Sequence, residues 1–306
     1  MWEYSRLNIT NTVLSKRKIE KLIANGLVRG WNDPRLHTVQ GLKRRGYTPT
    51  MINNFCEDIG VSRKGNENYT SNKKLEFFAR KELDANAPRV FGVLEPILLN
   101  IVNFDEIKNK QIQAPLFPSD PARGSRTYTL TQKVFIEQED FSEGKKAGFF
   151  GIMPEQVVCL RYGPFVQLES VEKDSNGNLT VVNVRAIIDF DKKVKGVIHW
   201  VSADHSIVCI VHEYDVLLTV EDCVTAAKKE NKDWLEYYNK NSCIPHFNAR
   251  VWDLLNDVKP YDRFQFERVG YFCVDEDARS EKNGGKIVFN SVVALKESAD
   301  KKKSGN

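Results

Sequence analysis

The sequence lacks any apolar run that approaches the roughly 20 residues needed to span a bilayer. No apolar segment follows the first residues, so a cleaved secretory leader is not predicted. The six cysteines form no CxxC pair, which argues against a zinc ribbon and a thioredoxin-like site. Their scattered positions are typical of a protein in a reducing compartment. These features together predict a cytoplasmic protein with no membrane partner.

The sequence also lacks metal-ligand spacing. It contains five histidines, four of them in the C-terminal half, at His199, His205, His212 and His246. Their spacing fits no helical ligand pair, and the segment 199–202 alternates like a strand. We therefore expect structural histidines and no metal site, and we assign no general acid or base.

Positive charge is concentrated at one end of the 306-residue chain. The formal net charge is +4, but residues 1–90 carry 17 Lys and Arg against 9 Asp and Glu, a net charge of +8. The remaining residues carry a net charge of −4. The N-terminal part therefore has the electrostatics of a polyanion-binding protein. The C-terminal part would have to bind nucleic acid through a few placed residues.

Helix-start signals follow one another through residues 14–86. The candidate N-cap residues are Ser15, Thr38, Thr48 and Ser71. Glycines at 26, 46 and 60 follow the apolar periodicity of the first three segments, as expected at helix C-termini. The pattern predicts a small bundle of three or four helices.

Short strands and turns follow from residue 89 onward. The strand candidates, rich in β-branched and aromatic residues, are 128–139, 157–171, 178–188, 195–202, 207–214, 264–274 and 286–295. The segment 175–178 (Ser-Asn-Gly-Asn) is a hairpin-turn signal, and short helical stretches are expected near 233–238 and 251–257. This texture is typical of antiparallel barrels or sandwiches. The polar, Lys-rich tail 298–306 is expected to be disordered.

Two basic stretches could carry chemistry. Three cations, Lys16 to Lys18, lie in the first turn of a predicted helix, where they oppose the helix dipole unless a phosphate chain binds there. An ordinary solvated basic turn explains them equally well. Lys43, Arg44 and Arg45 lie at a helix C-terminus, where the dipole favours cations, so a structural role is the simpler interpretation. Contact of this second stretch with a nucleic-acid backbone is also compatible with its position.

Several motifs resemble the glutaminyl/glutamyl branch of the class I aminoacyl-tRNA synthetases. The shared stretches are Arg6-Leu7-Asn8, 13–18 (Val-Leu-Ser-Lys-Arg-Lys), 30–35 (Gly-Trp-Asn-Asp-Pro-Arg) and 41–46 (Gly-Leu-Lys-Arg-Arg-Gly). Three further stretches, 45–61, 195–202 and 264–272, favour the glutamine-specific members. The resemblance covers nearly the whole chain.

For catalysis, the resemblance implies that 13–17 is the lysine-serine-lysine loop. Leu14, Ser15, Lys16 and Arg17 would close over ATP, supplied as Mg-ATP. Lys16 would be the catalytic residue that stabilises the phosphates while glutamine attacks the α-phosphate to form glutaminyl-adenylate.

For the fold, the resemblance implies an α+β multidomain protein with a helical bundle followed by two antiparallel, anticodon-binding β-barrels, one nested in the sequence of the other. The expected divisions are 1–88 for the lysine loop and helical stem-contact segment, 89–138 plus 212–297 for the proximal barrel, 139–211 for the distal barrel, and the tail 298–306.

For tRNA recognition, the resemblance implies that Arg89 and Gln265 read the middle anticodon base and that Arg161 lies near the first. Lys43, Arg44, Arg45 and Arg268 are the other expected tRNA contacts. Because residues alternate along a strand, Phe264 and Phe266 should pack inward and leave the Gln265 amide facing outward. Bacterial members carry basic residues where this chain has Gly151 and Cys159, so readout of the outer two bases should differ.

The family also implies a dinucleotide-binding-type catalytic fold ahead of the lysine loop. We expect that fold to be missing, so that glutamine and ATP bind only with it and neither binds this chain tightly. The prediction is a monomeric, tRNA-binding portion of a glutamine-specific synthetase. The alternatives are the same portion of a eukaryotic-type glutamyl enzyme and a free-standing RNA-binding barrel protein.

Overall fold

A computed structural model describes residues 3–63 and 69–296, so the predicted disordered tail 298–306 lies outside the described residues. Within them the α-helices are α1 (Lys16–Ala24), α2 (Val39–Arg45), α3 (Pro49–Ile59), α4 (Asn72–Asn86) and α5 (Cys223–Glu230). Single-turn 3-10 helices occupy Phe104–Glu106, Pro121–Arg123, Gln138–Asp140, Trp234–Tyr237, Asp253–Asp257 and Glu281–Asn283. None of the helices in these ranges is long and apolar enough to cross a membrane.

The first four helices begin where the cap signals predict. The side chains of Thr38, Thr48 and Ser71 each accept a hydrogen bond from a backbone N–H in the first turn of α2, α3 and α4. Ser15 precedes α1 in the expected position but makes no capping hydrogen bond with its side chain. Gly46 ends α2 with a φ of +114°, and a Cβ there would lie 2.6 Å from the Cβ of Cys273. Glycine at this position therefore permits both the left-handed cap and the close approach of the helix to the sheet behind it.

The strands are short and most belong to two seven-stranded sheets. They are β1 (Asn8–Ile9), β2 (Tyr69–Thr70), β3 (Arg89–Val90), β4 (Gly92–Val93), β5 (Pro96–Ile101), β6 (Gln111–Pro115), β7 (Ser125–Thr129), β8 (Lys133–Glu137), β9 (Val157–Leu160), β10 (Phe165–Lys173), β11 (Leu179–Ile187), β12 (Val197–Ile198), β13 (Val201–Ser202), β14 (Ser206–Tyr214), β15 (Cys243–Trp252), β16 (Arg263–Phe266), β17 (Gly270–Val274) and β18 (Ile287–Ala294). The first sheet has the order β12-β9-β10-β11-β5-β8-β13. The second sheet has the order β3-β16-β17-β18-β14-β15-β4, and β1-β2 and β6-β7 form two-stranded sheets.

Both large sheets curve back on themselves. The two edge strands of the first sheet, β12 and β13, are separated in sequence by only His199 and Trp200. Those of the second sheet, β3 and β4, are separated by Phe91 alone. Because so short a link cannot span an open seven-stranded sheet, each sheet must bring its edges together. Barrel-like curvature therefore follows from the pairing order.

The sheets are mixed and not purely antiparallel, which corrects the expectation. The pairs β5–β11, β9–β12, β14–β18 and β3–β16 are parallel. The strands in each parallel pair are joined by a long connection, as parallel pairing requires. The alternation of apolar and polar residues along a strand does not reveal which distant strand will pair with it. The predicted hairpin at 175–178 does join the antiparallel pair β10–β11.

The strand grouping also differs from the predicted division at residue 138. Strands β5 and β8 pair with β11 and β13, so residues 96–137 share a sheet with 157–202 and not with 212–297. The nested order itself is present, because the second sheet takes β3 and β4 from before the first sheet and the rest from after it.

The helices do not form one bundle. Helices α2, α3 and α4 pack together and against the second sheet, with Met51 and Leu75 at most 1% exposed. Helix α1 instead buries Ile19 and Leu22 against Leu217 and Leu218, in the long β14–β15 connection. The apolar stripe of α1 predicted a buried face but could not indicate a partner some 200 residues away in sequence.

Candidate nucleic-acid interface

The two residues predicted to read the middle anticodon base lie side by side. Strands β3 and β16 are parallel, with Arg89 directly opposite Gln265. Nε of Arg89 donates a hydrogen bond to Oε1 of Gln265 at 2.7 Å, and Nη2 of Arg89 lies 3.3 Å from a carboxylate oxygen of Asp84. The backbone N–H of Gln265 also donates to the carbonyl of Pro88 at 3.0 Å. The structure therefore assembles one polar site from the start of the second sheet and a strand far along the chain.

The expected outward presentation of the Gln265 amide is only partly correct. Phe264 and Phe266 do pack in the core of the second sheet, as alternation predicts. Gln265, however, is only 8% exposed, and its amide oxygen accepts a hydrogen bond from Arg89. A base that contacts this oxygen must therefore share it with the Arg89 guanidinium.

Arg161 contacts the turn between β16 and β17, and Arg268 lies in that turn. Nε of Arg161 donates to the Glu267 carboxylate, which also accepts from the Tyr162 hydroxyl at 3.3 Å. The Glu267 side chain is 4% exposed and the Arg161 side chain 32%. Arg161 is thus a partly exposed cation paired with a buried carboxylate. That carboxylate, Glu267, directly follows the strand that carries Gln265.

Arg268 joins the two sheets, and its side chain is 33% exposed. Its two Nη atoms donate to the two carboxylate oxygens of Asp140, each at 2.7 Å. Its Nη1 atom also lies 3.0 Å from Nδ1 of His199. Since arginine only donates, Nδ1 of His199 accepts, and its Nε2–H is left to face the Glu137 carboxylate at 3.4 Å. Burial would lower the pKa of Arg268, but the bond to Asp140 outweighs it and raises the pKa above its ordinary value.

Of the basic triplet 43–45, only Lys43 is exposed. Arg44 is 4% exposed and donates through Nε and Nη2 to the two oxygens of Asp275 at 3.0 and 2.9 Å. Burial acts to raise the pKa of Asp275, but this guanidinium and neighbouring donors outweigh it and lower that pKa. Arg45 is 9% exposed, donates to the carbonyl of Ser291 at 3.2 Å, and lies over a tyrosine ring. The structure thus favours a structural role for Arg44 and Arg45 inside the protein. Contact with tRNA stays a prediction, and of the three residues Lys43 is the one exposed enough to make it.

The predicted ATP loop lies at the N-terminus of α1. The Lys16 side chain is 79% exposed and makes only a 3.8 Å ion pair with Glu20 in the next turn. Lys18 points instead toward Cys223, with Nζ 3.8 Å from Sγ. A cleft of about 680 Å³ adjoins the loop, with Ser15 among its lining residues. Leu14 and Ser15 line this cleft and Lys16 and Arg17 do not, so ATP binding by Leu14 to Arg17 stays a prediction.

Gly151, where the resemblance implies a basic residue in bacterial members, leaves no room for a side chain. A Cβ at Gly151 would lie 2.1 Å from the carbonyl oxygen of Asp140. The backbone N–H of Ile152 donates to that same carbonyl at 2.7 Å, which keeps the two segments together. No side chain fits here without moving the backbone, so this chain lacks a place for a basic residue at that position.

Sequence reasoning missed the acidic and aromatic partners of the basic residues. The partners not singled out are Asp140, Glu137, Glu267, Asp275 and Tyr162. The four carboxylates meet their basic partners only when distant segments come together, whereas Tyr162 directly follows Arg161 in the sequence. One local signal existed, since Glu267 and Arg268 lie two and three residues after Gln265, in the turn that follows β16.

The histidines take part in polar contacts, mostly with carboxylates. His246 lies between Glu213, 2.8 Å from Nε2, and Glu95, which contacts Nδ1. The bond to Glu213 raises the pKa of His246 above its ordinary value, against opposing burial and with help from Glu95. Across residues 3–63 and 69–296, no group of three or more His, Cys, Asp or Glu side chains could hold a metal ion.

Three family models match the chain. Residues 87–187 and 197–275 match two models described as tRNA synthetases class I (E and Q), anti-codon binding domain. Residues 1–85 match a model described as tRNA synthetases class I (E and Q), catalytic domain. The last match covers the segment predicted to hold the lysine loop and the stem-contact helices, so the expectation that the catalytic domain is missing stays untested.

Curated relatives are similar over the length of this chain. A probable glutamine–tRNA ligase of Dictyostelium discoideum is 40% identical over 306 residues, 100% of this chain and 38% of that protein. The glutamine–tRNA ligases of Clostridium perfringens and Cupriavidus metallidurans are 39% and 38% identical, covering 97% of this chain and 53% and 51% of theirs. The chain therefore spans about half the length of these relatives, or less. Each of the three matched regions is thus similar to a domain of the class I tRNA synthetases (E and Q).

Proposed function

We propose that this chain is the tRNA-binding part, contacting anticodon and inner stem, of a glutamine–tRNA ligase. The parent enzyme joins glutamine to its tRNA through an ATP-dependent glutaminyl-adenylate. The observation that supports the proposal most directly is the contact between Arg89 and Gln265 across β3 and β16. The resemblance implies that both residues contact the same base. They are far apart in sequence, yet they are hydrogen-bonded to each other.

The chemistry of that pair suits a pyrimidine edge. A guanidinium supplies donors only, whereas an amide supplies both donors and an acceptor. Uracil and cytosine exchange an acceptor for a donor at one edge, so this combination can distinguish them in an unpaired loop. Arg161, Tyr162 and Glu267 flank the pair, so neighbouring nucleotides would also find partners.

The charge distribution supports different roles in RNA binding for the helical segment and for the sheets. Residues 1–90 carry the net charge of +8 and would attract the phosphate backbone, whereas the sheets carry placed cations that are mostly paired with carboxylates. Binding strength would then come mainly from the helical segment, and sequence preference from the sheets.

In the parent enzyme, Ser15, Lys16 and Arg17 would hold the phosphates of ATP at the N-terminus of α1. ATP would supply the adenylyl group, and Lys16 would stabilise developing negative charge on the phosphates. The Lys16 side chain is free to approach such a ligand, because its contact with Glu20 is long and exposed. A monomeric, cytoplasmic parent enzyme remains our expectation.

Equilibrium binding of the purified chain to tRNA for glutamine and tRNA for glutamate, at rising salt, tests the proposal. We expect tighter binding of the glutamine tRNA, with affinity that falls log-linearly with salt, by a slope of about −0.7 to −0.9 per phosphate contact. Preference for the glutamate tRNA would favour the glutamyl enzyme. Equal binding of both tRNAs and of an unrelated RNA would favour a general RNA-binding protein.

A further inference from the structure

The buried arginines of this chain differ in how their charge is neutralised. Arg35 pairs with Asp33 at 2.8 Å. Arg44 pairs with Asp275 at 2.9 Å. Arg45 is 9% exposed, yet it forms no ion pair with a carboxylate in the part of the chain that the structure describes. The negative end of the α2 dipole, equivalent to about half an elementary charge, offsets only part of the charge, so Arg45 carries a buried positive charge without a counter-ion.

The contacts of Arg45 hold the guanidinium in place but leave part of it unbonded. Nε donates to the carbonyl of Ser291 at 3.2 Å, and Nη2 lies 3.5 Å from the carbonyl oxygen of Tyr214. The guanidinium also lies over the Tyr214 ring, 5.5 Å from its centroid. Nη1 makes no hydrogen bond with any residue that the structure describes. Because a buried donor without a partner is costly, Nη1 is available to an acceptor that the described residues do not supply.

Arg45 lines a cavity of about 320 Å³. The walls of this cavity come from the C-terminus of α2, the start of α4 and strands β14, β17 and β18 of the second sheet. None of the residues 14–17 lines it, so it is separate from the predicted ATP loop. Its volume is in the range of pockets that hold small molecules.

His37 lines the same cavity but is neutral there. Its Nδ1 lies 3.1 Å from Oγ1 of Thr12, and its Nε2 lies 2.8 Å from Oδ1 of Asn72. Since an amide oxygen only accepts, Nε2 carries the proton and Nδ1 accepts from the Thr12 hydroxyl. Burial lowers the pKa of His37 to about 4, and the charge of Arg45 acts in the same direction. The positive charge beside His37 therefore belongs to Arg45.

Carboxylates also line the cavity, and they limit the kind of anion that can enter. The charged lining residues besides Arg45 are Glu76, Glu213, Asp215, Glu221, Arg35 and Lys73. Glu213 is already bonded to His246. Asp215 and Glu221 are exposed and form no ion pair with a described residue. These carboxylates would repel a phosphate dianion, whereas a molecule with one carboxylate and one ammonium group could pair both with Arg45 and with them.

We propose that this cavity binds a small zwitterion of the free amino-acid class, with its carboxylate on Arg45 and its ammonium group toward Asp215 and Glu221. The fork of guanidinium N–H donors suits the two oxygens of a carboxylate. The inference goes beyond the proposed function, because it concerns a ligand site between the helices and the second sheet. Neither the ATP loop nor the Arg89–Gln265 pair lines that site.

Calorimetric titration of the purified chain with glycine, L-glutamine, acetate and inorganic phosphate, at constant ionic strength, tests the proposal. Glycine and L-glutamine carry both charged groups, whereas acetate carries the carboxylate alone. We expect both amino acids to bind. Acetate should bind about 2- to 5-fold more weakly than glycine, because it lacks the contact with the partly solvated carboxylates. Phosphate should not compete with either amino acid.

Variants then locate the contact. Arg45→Met removes the charge but keeps an unbranched side chain, and it should weaken amino-acid binding by about 10- to 150-fold, as for the loss of hydrogen bonds to a charged group. Lys43→Met, at an exposed position of the same helix, is the matched control and should bind as the unaltered chain does. The double variant Asp215→Asn with Glu221→Gln leaves Arg45 in place. It should bind glycine and acetate equally, which tests the site even if Arg45→Met fails to fold.

Three results would contradict the inference. If neither glycine nor L-glutamine binds the unaltered chain, the cavity holds only water that solvates Arg45. If phosphate or acetate binds as tightly as glycine, the site does not select a zwitterion. If a folded Arg45→Met binds the amino acids with unchanged affinity, they bind elsewhere on the chain. None of these results depends on tRNA binding, so the proposed function is tested separately.

Discussion

Nε of Arg89 donates a hydrogen bond to Oε1 of Gln265 at 2.7 Å, although the two residues are 176 positions apart in the chain. Each is the other's partner when no RNA is bound. A base that enters the site therefore meets a preformed donor–acceptor arrangement and not two independent side chains. The two residues should consequently act as a unit in recognition.

A double-mutant cycle on this pair tests that unit. Arg89→Ala and Gln265→Ala should each weaken binding of the cognate tRNA by about 1–3 kcal/mol, as for base-edge contacts in general. Because the residues are hydrogen-bonded, the double variant should lose less than the sum, with a coupling of about 0.5–3 kcal/mol. Lys232→Ala, which breaks an exposed ion pair with Glu230, is the control. Additive losses would mean that the residues contact RNA independently.

Arg44 should prove to be a stability residue. Arg44→Ala leaves the buried Asp275 carboxylate without its main partner, so we expect the free energy of unfolding to fall by about 3–5 kcal/mol. Lys43→Ala at the exposed neighbouring position should change it by less than about 0.5 kcal/mol. Urea unfolding of both variants measures the difference. An unchanged unfolding midpoint for Arg44→Ala, with weaker tRNA binding, would return Arg44 to the RNA-contact group.

His246 should make stability depend on pH. Its pKa is raised in the folded chain, chiefly by its hydrogen bond to Glu213, so the folded state binds the proton more tightly than the unfolded state. The stabilisation is fully present below the unfolded pKa of about 6.5 and is lost as pH rises through the raised folded pKa. Denaturant unfolding across pH 5 to 9 should show this decline in the unaltered chain and a weaker one in His246→Gln. His205→Gln, at a half-exposed histidine paired with Asp253, is the comparison, and identical slopes in all three proteins would exclude the assignment.

Lys16 should act in chemistry and not in tRNA binding. In an intact enzyme, Lys16→Ala should slow adenylate formation by a much larger factor than it weakens tRNA binding, because a cation at developing phosphate charge acts mainly in the transition state. Glutamine-dependent pyrophosphate exchange and tRNA affinity are the two measurements. Arg17→Ala tests the neighbouring cation of the loop. An unaffected exchange rate for Lys16→Ala would identify the stretch as an ordinary basic turn.

Local features of the fold were predictable from the sequence. The caps at Thr38, Thr48 and Ser71 and the 175–178 turn follow from side chains bonding to nearby backbone, and the structure has them at the predicted places. The inward packing of Phe264 and Phe266 follows from strand alternation alone.

Long-range pairings were not predictable in the same way. The sequence analysis did not identify β2 to β7, β15 or α5. The sheet that β5 and β8 join depends on which distant strands become their neighbours. Gln265 is buried in contact with Arg89, and Arg44 is buried in contact with Asp275. Both contacts join segments more than 170 residues apart. Periodicity determines which face of an element is apolar, but it contains no information about what that face will meet.

The most direct test of the account compares two tRNAs that differ only at the middle anticodon base. The affinity of the unaltered chain for glutamine tRNA should exceed that for the altered tRNA by a factor corresponding to about 1–3 kcal/mol. In Arg89→Ala and Gln265→Ala this ratio should fall toward one, through loss of affinity for the cognate tRNA alone. If both variants instead lose affinity equally for the two tRNAs, Arg89 and Gln265 hold the RNA backbone and do not read its sequence, which would contradict the central claim.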